Sequence, residues 1–375
     1  MTSLADIRIP AELLPSDGRF CVGPSVVRPE AVAALASEAD SYLGTSHRQA
    51  RVKDMVGRLR GGLTELFSLP DGWEIVLGNG GTTVFWDAAT FGLIDQRSQH
   101  LSFGEFSSKF ANAVAAAPHL DDPEIIEAEP GSAPSTKPSD VDLYALTHNE
   151  TSTGVATTLT RPDGVDAAQA LVAVDATSAA GGLRWDPAEV DCYYFAPQKC
   201  FGSDGGLWIA ACSPAAVERI EHIAASDRWC PASIDLGIAL QNSRKNQTYN
   251  TPALATVFLA VHQVEWFNHN GGLDWSAGRS DASAEIMYGW AEASEYATPY
   301  VSDHALRSSV VATIDLDERF AADDVIEVAR ANGILDIGGY RKLGRNQLRV
   351  SMFPGVDPDD IRALTACIDH IIGRL

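Results

Sequence analysis

The residues best suited to chemistry are a lysine carried on an apolar run and an aspartate upstream of it. Lys199 closes the stretch Tyr193-Tyr194-Phe195-Ala196-Pro197-Gln198-Lys199, and Asp175 lies in Val174-Asp175-Ala176-Thr177-Ser178. Bringing an amine into an apolar interior is costly unless the amine reacts or finds a partner. A buried lysine loses its proton near neutral pH and becomes a nucleophile that can form a Schiff base. An aspartate at the end of a buried strand can hold a protonated ring nitrogen. Lysine with aspartate is the pair that pyridoxal phosphate requires, because its ring acts as an electron sink only while protonated.

Other groups have the right types for anion binding. Gly78-Asn79-Gly80-Gly81-Thr82-Thr83 stands between a short apolar run and a helix-like stretch. There backbone N–H groups and the helix dipole would cradle an anion. A tight turn without ligand fits that loop equally well, since it carries neither GxGxxG nor GxxxxGK[ST]. His148-Asn149-Glu150-Thr151-Ser152-Thr153-Gly154 follows a strand-like run and reads as a wall of the same crevice or as a plain polar turn. Asn250-Thr251-Pro252 reads as a ligand contact or a helix N-cap. Basic residues gather at Ser46-His47-Arg48 and at Tyr340-Arg341-Lys342-Leu343-Gly344-Arg345. Arg349, between Leu348 and Val350 on a strand-like run, could present its fork rigidly to a carboxylate.

These residues need strands to aim them. Apolar runs predict strands at Glu74–Leu77, Leu143–Thr147, Leu171–Val174, Cys192–Phe195 and Leu207–Cys212. Val52, Met55, Leu59, Leu63 and Leu66 keep helical spacing over 52–69. Short apolar strands alternating with helices indicate an α/β domain with a mostly parallel, buried sheet. Residues at the carboxyl ends of such strands converge on one crevice. Glu129–Pro138 reads as a surface loop. From about residue 275 the pattern changes to a smaller α+β unit: strands at Val310–Ile314 and Gln347–Met352, a helix at Ala322–Asn332, and a last helix with Asp357 as N-cap and Pro358 at its first position. We place a large domain at 16–272 and a small one at 273–375, with 1–15 packing nearby.

The chain has 375 residues and a net charge of −22. That balance argues against nucleic acid and anionic membrane surfaces as partners. Six scattered cysteines without CxxC favour reduced thiols over disulfides or a metal site. With no leader-like N-terminus and no ~20-residue apolar run, the expectation is a cytoplasmic protein.

In order and spacing, GTSHR, GNGGTT, HNETSTG, VDATS, FAPQKCFGSDGG, NQTYNTP and GYRKLGRNQLRVSMF resemble phosphoserine aminotransferases, most of all the actinobacterial form, from about Arg19 to Leu375. The resemblance implies a fold-type I transferase with a mostly parallel, seven-stranded sheet and a smaller C-terminal domain. It implies a homodimer with shared active sites and one pyridoxal phosphate per subunit. The implied reaction exchanges an amino group between glutamate and 3-phosphohydroxypyruvate, giving 3-phosphoserine and 2-oxoglutarate in serine biosynthesis. Some bacterial members also act on phosphorylated hydroxythreonine in pyridoxine biosynthesis.

Residue by residue, the resemblance makes Lys199 the Schiff-base lysine and Asp175 the partner of the ring nitrogen. Phe106 stacks on the cofactor, Thr153 and Gln198 contact it, and Gly81 and Thr82 lie on its phosphate side. Asn250 and Thr251 are lent to that phosphate by the other subunit. Arg349 anchors the substrate α-carboxylate, while His47, Arg48 and Arg341 receive the distal phosphate or carboxylate. The chain departs from the pattern in two places: Gly80-Gly81-Thr82-Thr83-Val84 replaces a GGGxGQ loop, and Tyr340 stands where a histidine commonly precedes the phosphate-binding arginine. The rival readings are another fold-type I aminotransferase of the alanine/serine–glyoxylate type, a desulfurase using Cys200, a non-catalytic anion-binding protein, and a lysine lyase without cofactor.

Overall fold

The computed structural model describes residues 4–375; Met1–Ser3, at the start of the segment expected to pack near the small domain, lie outside them. The first half of the chain builds helices α1 (Pro29–Tyr42), α2 (Ala50–Leu66), α3 (Thr82–Gly92) and α4 (Glu105–Ala115). Among and after these run strands β1 (Glu74–Asn79), β2 (Ser98–Ser102), β3 (Glu124–Glu127) and β4 (Leu143–Thr147). A two-stranded ribbon follows, β5 (Asn149–Glu150) with β6 (Val155–Ala156), then β7 (Leu171–Asp175), β8 (Cys192–Phe195) and β9 (Leu207–Cys212). Apart from the ribbon, these strands form one seven-stranded sheet in the order β1-β9-β8-β7-β4-β2-β3. Only β9 runs against the others, pairing antiparallel with both β1 and β8.

Burial explains why β4, β7, β8 and β9 are mostly apolar: every residue in them is buried, as expected of strands covered on both faces, and the polar exceptions Thr147 and Asp175 stand at the carboxyl ends of β4 and β7. One face packs against α2 and a later helix spanning Leu254–Asn270, through Leu59, Leu63, Val261 and Phe267. The other packs against α3 and α4 and against α5 (Pro214–Ala224) and α6 (Leu236–Ser243), through Phe85, Phe110, Ile220 and Leu240. Helix α7 covers Leu254–Asn270, and α8 (Gly272–Ala293) leads into a separate core. That core joins α8, α9 (Ala322–Ala331) and α10 (Pro358–Ile372) to the antiparallel sheet β10 (Ala297–Pro299), β11 (Val311–Leu316) and β12 (Gln347–Ser351). Ile7 and Ile9 are buried in this second core, and Ile9 N donates to Asn332 Oδ1 at 2.9 Å. As expected, Asp357 caps α10, accepting from Asp359 N at 3.0 Å. Among the described residues no helix is long and apolar enough to cross a membrane.

Candidate active site

The parallel strands β1, β2, β4, β7 and β8 all end at one edge of the large sheet, and the chemistry-bearing loops collect there. Asp175 is the last residue of β7. Its Oδ1 accepts from Thr177 N at 2.9 Å and its Oδ2 from Trp86 Nε1 at 3.1 Å. Burial pushes this carboxyl up to about 6, against the opposing pull of the Thr177 and Trp86 hydrogen bonds. Lys199 lies four residues beyond β8, and its Nζ donates to the Val22 carbonyl at 2.6 Å. Burial, helped by the positive charge of Arg349, lowers this amine to about 8. The close approach requires glycine at position 23: φ there is +143°, and a Cβ would sit 2.0 Å from Lys199 Nζ.

Lys199 and Asp175 share a cavity of about 220 Å³ with Gly81, Thr82, Phe106 and Gln198. Thr82 Oγ1 meets Thr177 Oγ1 at 2.7 Å. The N-terminus of α3, beginning at Thr82, has no side-chain cap; Val84 N donates to Gly81 O at 2.9 Å, which leaves the Thr82 and Thr83 N–H groups available to an anion. The buried Gln198 Oε1 and Asn149 Oδ1 have no protein partner although both residues line the cavity. Orphaned acceptors, an uncapped helix start and a carboxyl and an amine lining one cavity together fit a phosphorylated, hydroxylated pyridine.

A second cavity of about 560 Å³ is lined by Val22, Gly23, Tyr340, Arg341 and Arg349. It adjoins the first through the Val22 carbonyl that holds Lys199. Arg349 Nη1 donates to Thr151 O at 3.1 Å, its Nε has no partner, and its guanidinium lies 5.2 Å from the centre of the Tyr340 ring. Burial lowers its affinity for its proton. Lys342 is engaged elsewhere, its Nζ meeting Glu105 Oε1 at 2.6 Å, and Arg345 pairs with Asp315.

One expected contact falls in a different place. Thr153 is fully buried and does not line the cavity; its carbonyl accepts from Thr313 Oγ1 at 2.8 Å. Thr151, two residues earlier in the same turn, is on the cavity wall instead. His47, Arg48, Asn250 and Thr251 do not line the cavity of Lys199, although Thr251 O accepts from Asn79 Nδ2 in the glycine loop at 2.8 Å. Thr251 Oγ1 meets His47 Nδ1 at 3.1 Å, and Asn250, Thr251 and Arg48 are exposed. The N-cap alternative for Asn250-Thr251 fails, since α7 is preceded by Ala253 and no side chain caps it. His148 is no proton carrier near neutrality: its Nδ1 meets Tyr193 Oη at 3.0 Å, and burial pushes it down to about 3. Cys200 does not suit a desulfurase. Its thiol is buried against Ser178 O at 3.4 Å, and burial raises its pKa strongly.

Reading residue types along the chain missed Trp86, Thr177 and Ser178. Trp86 reaches Asp175 across 89 positions of sequence, and its place in an apolar helix gives no sign of that partner.

The chain belongs to the class-V aminotransferase family, whose pattern matches residues 122–364. It is a pyridoxal-phosphate-dependent transaminase of fold type I. Its relatives narrow the class further. It is 58% identical over 372 residues, 99% of each chain, to the putative phosphoserine aminotransferase of Mycolicibacterium vanbaalenii. It is also 58% identical to the phosphoserine aminotransferase of a Nocardioides species, covering 98% of this chain and 99% of that one. Among solved structures, a phosphoserine aminotransferase from Cytophaga hutchinsonii superposes with a TM-score of 0.85 at 23% identity, over 93% of this chain and 97% of that one. The enzyme of that name from Bacillus circulans superposes at 0.82 and 19% identity, over 95% and 98%. At such identities the structures speak for the fold.

Proposed function

We propose that this chain is a phosphoserine aminotransferase, exchanging an amino group between L-glutamate and 3-phosphohydroxypyruvate in serine biosynthesis. The observation that carries the reading is the pairing of two cavities: Lys199 opposite Asp175 in one, Arg341 and Arg349 in the other. When bound, the cofactor supplies an electron sink for negative charge developing at the substrate α-carbon. Lys199 Nζ would hold the cofactor at its aldehyde carbon, and as a free amine it would take the substrate α-proton and deliver it as general base and acid. Asp175 is mostly ionised at neutral pH, given its value of about 6, and would keep the ring nitrogen of the cofactor protonated. Of the other residues lining the cavity, Phe106 would cover the ring, Thr82 and the start of α3 would take the phosphate, and Gln198 and Thr151, in place of Thr153, would meet the ring substituents.

Arg349 anchors the α-carboxylate, and Arg341 receives the distal anion. The chain acts as a homodimer in the cytoplasm. The group of His47, Arg48, Asn250 and Thr251, outside the cavity of its own Lys199, then serves the neighbouring subunit's site; a monomeric mass in sedimentation would remove that role. The six free cysteines suit a reducing compartment. The test is the choice of amino acceptor. With L-glutamate as donor and saturating cofactor, 3-phosphohydroxypyruvate should exceed pyruvate and glyoxylate in kcat/KM by roughly 100-fold or more. Equal use of glyoxylate would move the chain to the alanine/serine–glyoxylate type.

A further inference from the structure

Glu150 is fully buried, and it carries no part of the chemistry described above. An interior carboxylate is tolerated only where donors compensate its lost hydration. Four do so here. Glu150 Oε2 accepts from Phe106 N at 3.0 Å and Ser107 N at 2.8 Å, both in the first turn of α4. Oε1 accepts from Ser152 N at 3.1 Å and Ser152 Oγ at 2.7 Å. Ser152 Oγ in turn accepts from Glu105 N at 3.1 Å. The residue preceding α4 is Gly104, which has no side chain to cap the helix. A Cβ at Gly104 would lie 2.4 Å from the Glu150 side chain, so the glycine lets the carboxylate close onto the helix start. Two free N–H groups of α4, those of Phe106 and Ser107, are thus satisfied by a residue 44 and 43 positions away.

What this cap holds in place is the aromatic wall of the cavity. Phe106 is the second residue of α4 and lines the cavity shared by Lys199 and Asp175. The residue after Glu150 is Thr151, whose carbonyl holds Arg349. We infer that Glu150 is a positioning residue that sets Phe106 against the cofactor ring and, through the same turn, keeps Arg349 in line with it. The inference rests on the reading of Phe106 as the residue that covers the ring. Through that placement, Glu150 governs cofactor affinity and the asymmetry of the cofactor's surroundings; a plain helix cap would govern stability alone.

The experiment is a double-mutant cycle on the full chain, using E150Q, F106L and the double variant. Pyridoxal phosphate is titrated onto apo-protein to obtain its Kd, and the visible circular dichroism of the bound cofactor is recorded. E150Q replaces one oxygen with an amide that turns N–H groups toward N–H donors. It should raise Kd about tenfold and roughly halve the dichroic band, while adding less than about twofold to Kd in the F106L background. If E150Q does not fold, S152A removes a single donor to the same carboxylate and should shift Kd in the same direction by about threefold. A lowered melting temperature with wild-type Kd and dichroism would overturn the inference, as would the full tenfold effect persisting beside F106L. F106L at wild-type Kd would instead overturn the stacking role of Phe106.

Discussion

Lys199 shows how burial prepares a nucleophile. At about 8 the amine is roughly a tenth unprotonated at pH 7, against about three parts in ten thousand for an ordinary lysine. Only the neutral amine attacks an aldehyde, so cofactor capture accelerates as pH rises until the amine is fully deprotonated. Capture of pyridoxal phosphate by apo-protein, followed by absorbance, should reach half its maximal rate near pH 8, and Lys199→Ala should abolish turnover with the fold intact. A midpoint above 10 would mean the amine is solvated. At this scale the lysine and aspartate were legible because each follows an apolar run that could only be a buried strand. Choosing Thr151 over Thr153 was not, since two threonines in one turn differ only in which way the turn faces them. Trp86 and Glu150 were also hidden, because their partners lie 89 and 44 positions away.

The elements that carry the site were mostly readable from apolar runs. Five strands of the large sheet match those runs to within two residues, and α2 matches its stripe closely. Strand β2 escaped because Ser98, Gln99 and His100 are polar by type yet buried. Their side chains find partners inside: Ser98 Oγ meets His100 Nε2 at 2.8 Å, and Gln99 Nε2 donates to Lys137 O at 2.8 Å. Strand β3 escaped because it alternates between half-buried and exposed residues at the sheet edge. Cap chemistry, by contrast, is local and was legible at Asp357. Asp357→Ala should lower stability by about 1 kcal/mol, read from urea unfolding, and leave kcat unchanged, since α10 packs in the second core. A loss of activity at full stability would contradict that separation.

On the scale of the whole molecule, a chain with 22 excess negative charges must gather its few cations to read dianionic substrates. Two groups are proposed for this task, Arg341 and Arg349 beside the cavity of Lys199, and His47 and Arg48 beside Thr251. Composition and spacing gave the members of both groups; the separation between them is a product of the fold. Substrate choice should therefore follow distal charge. The most direct measurement is the ratio of kcat/KM for L-phosphoserine over L-serine, with 2-oxoglutarate as acceptor and saturating pyridoxal phosphate. Two charge-assisted hydrogen bonds lost at about 1.5–3 kcal/mol each predict a ratio of roughly two to four powers of ten, reduced sharply by Arg341→Ala. A ratio near one in the wild-type enzyme would contradict the account, leaving a transaminase whose arginines do not read phosphate.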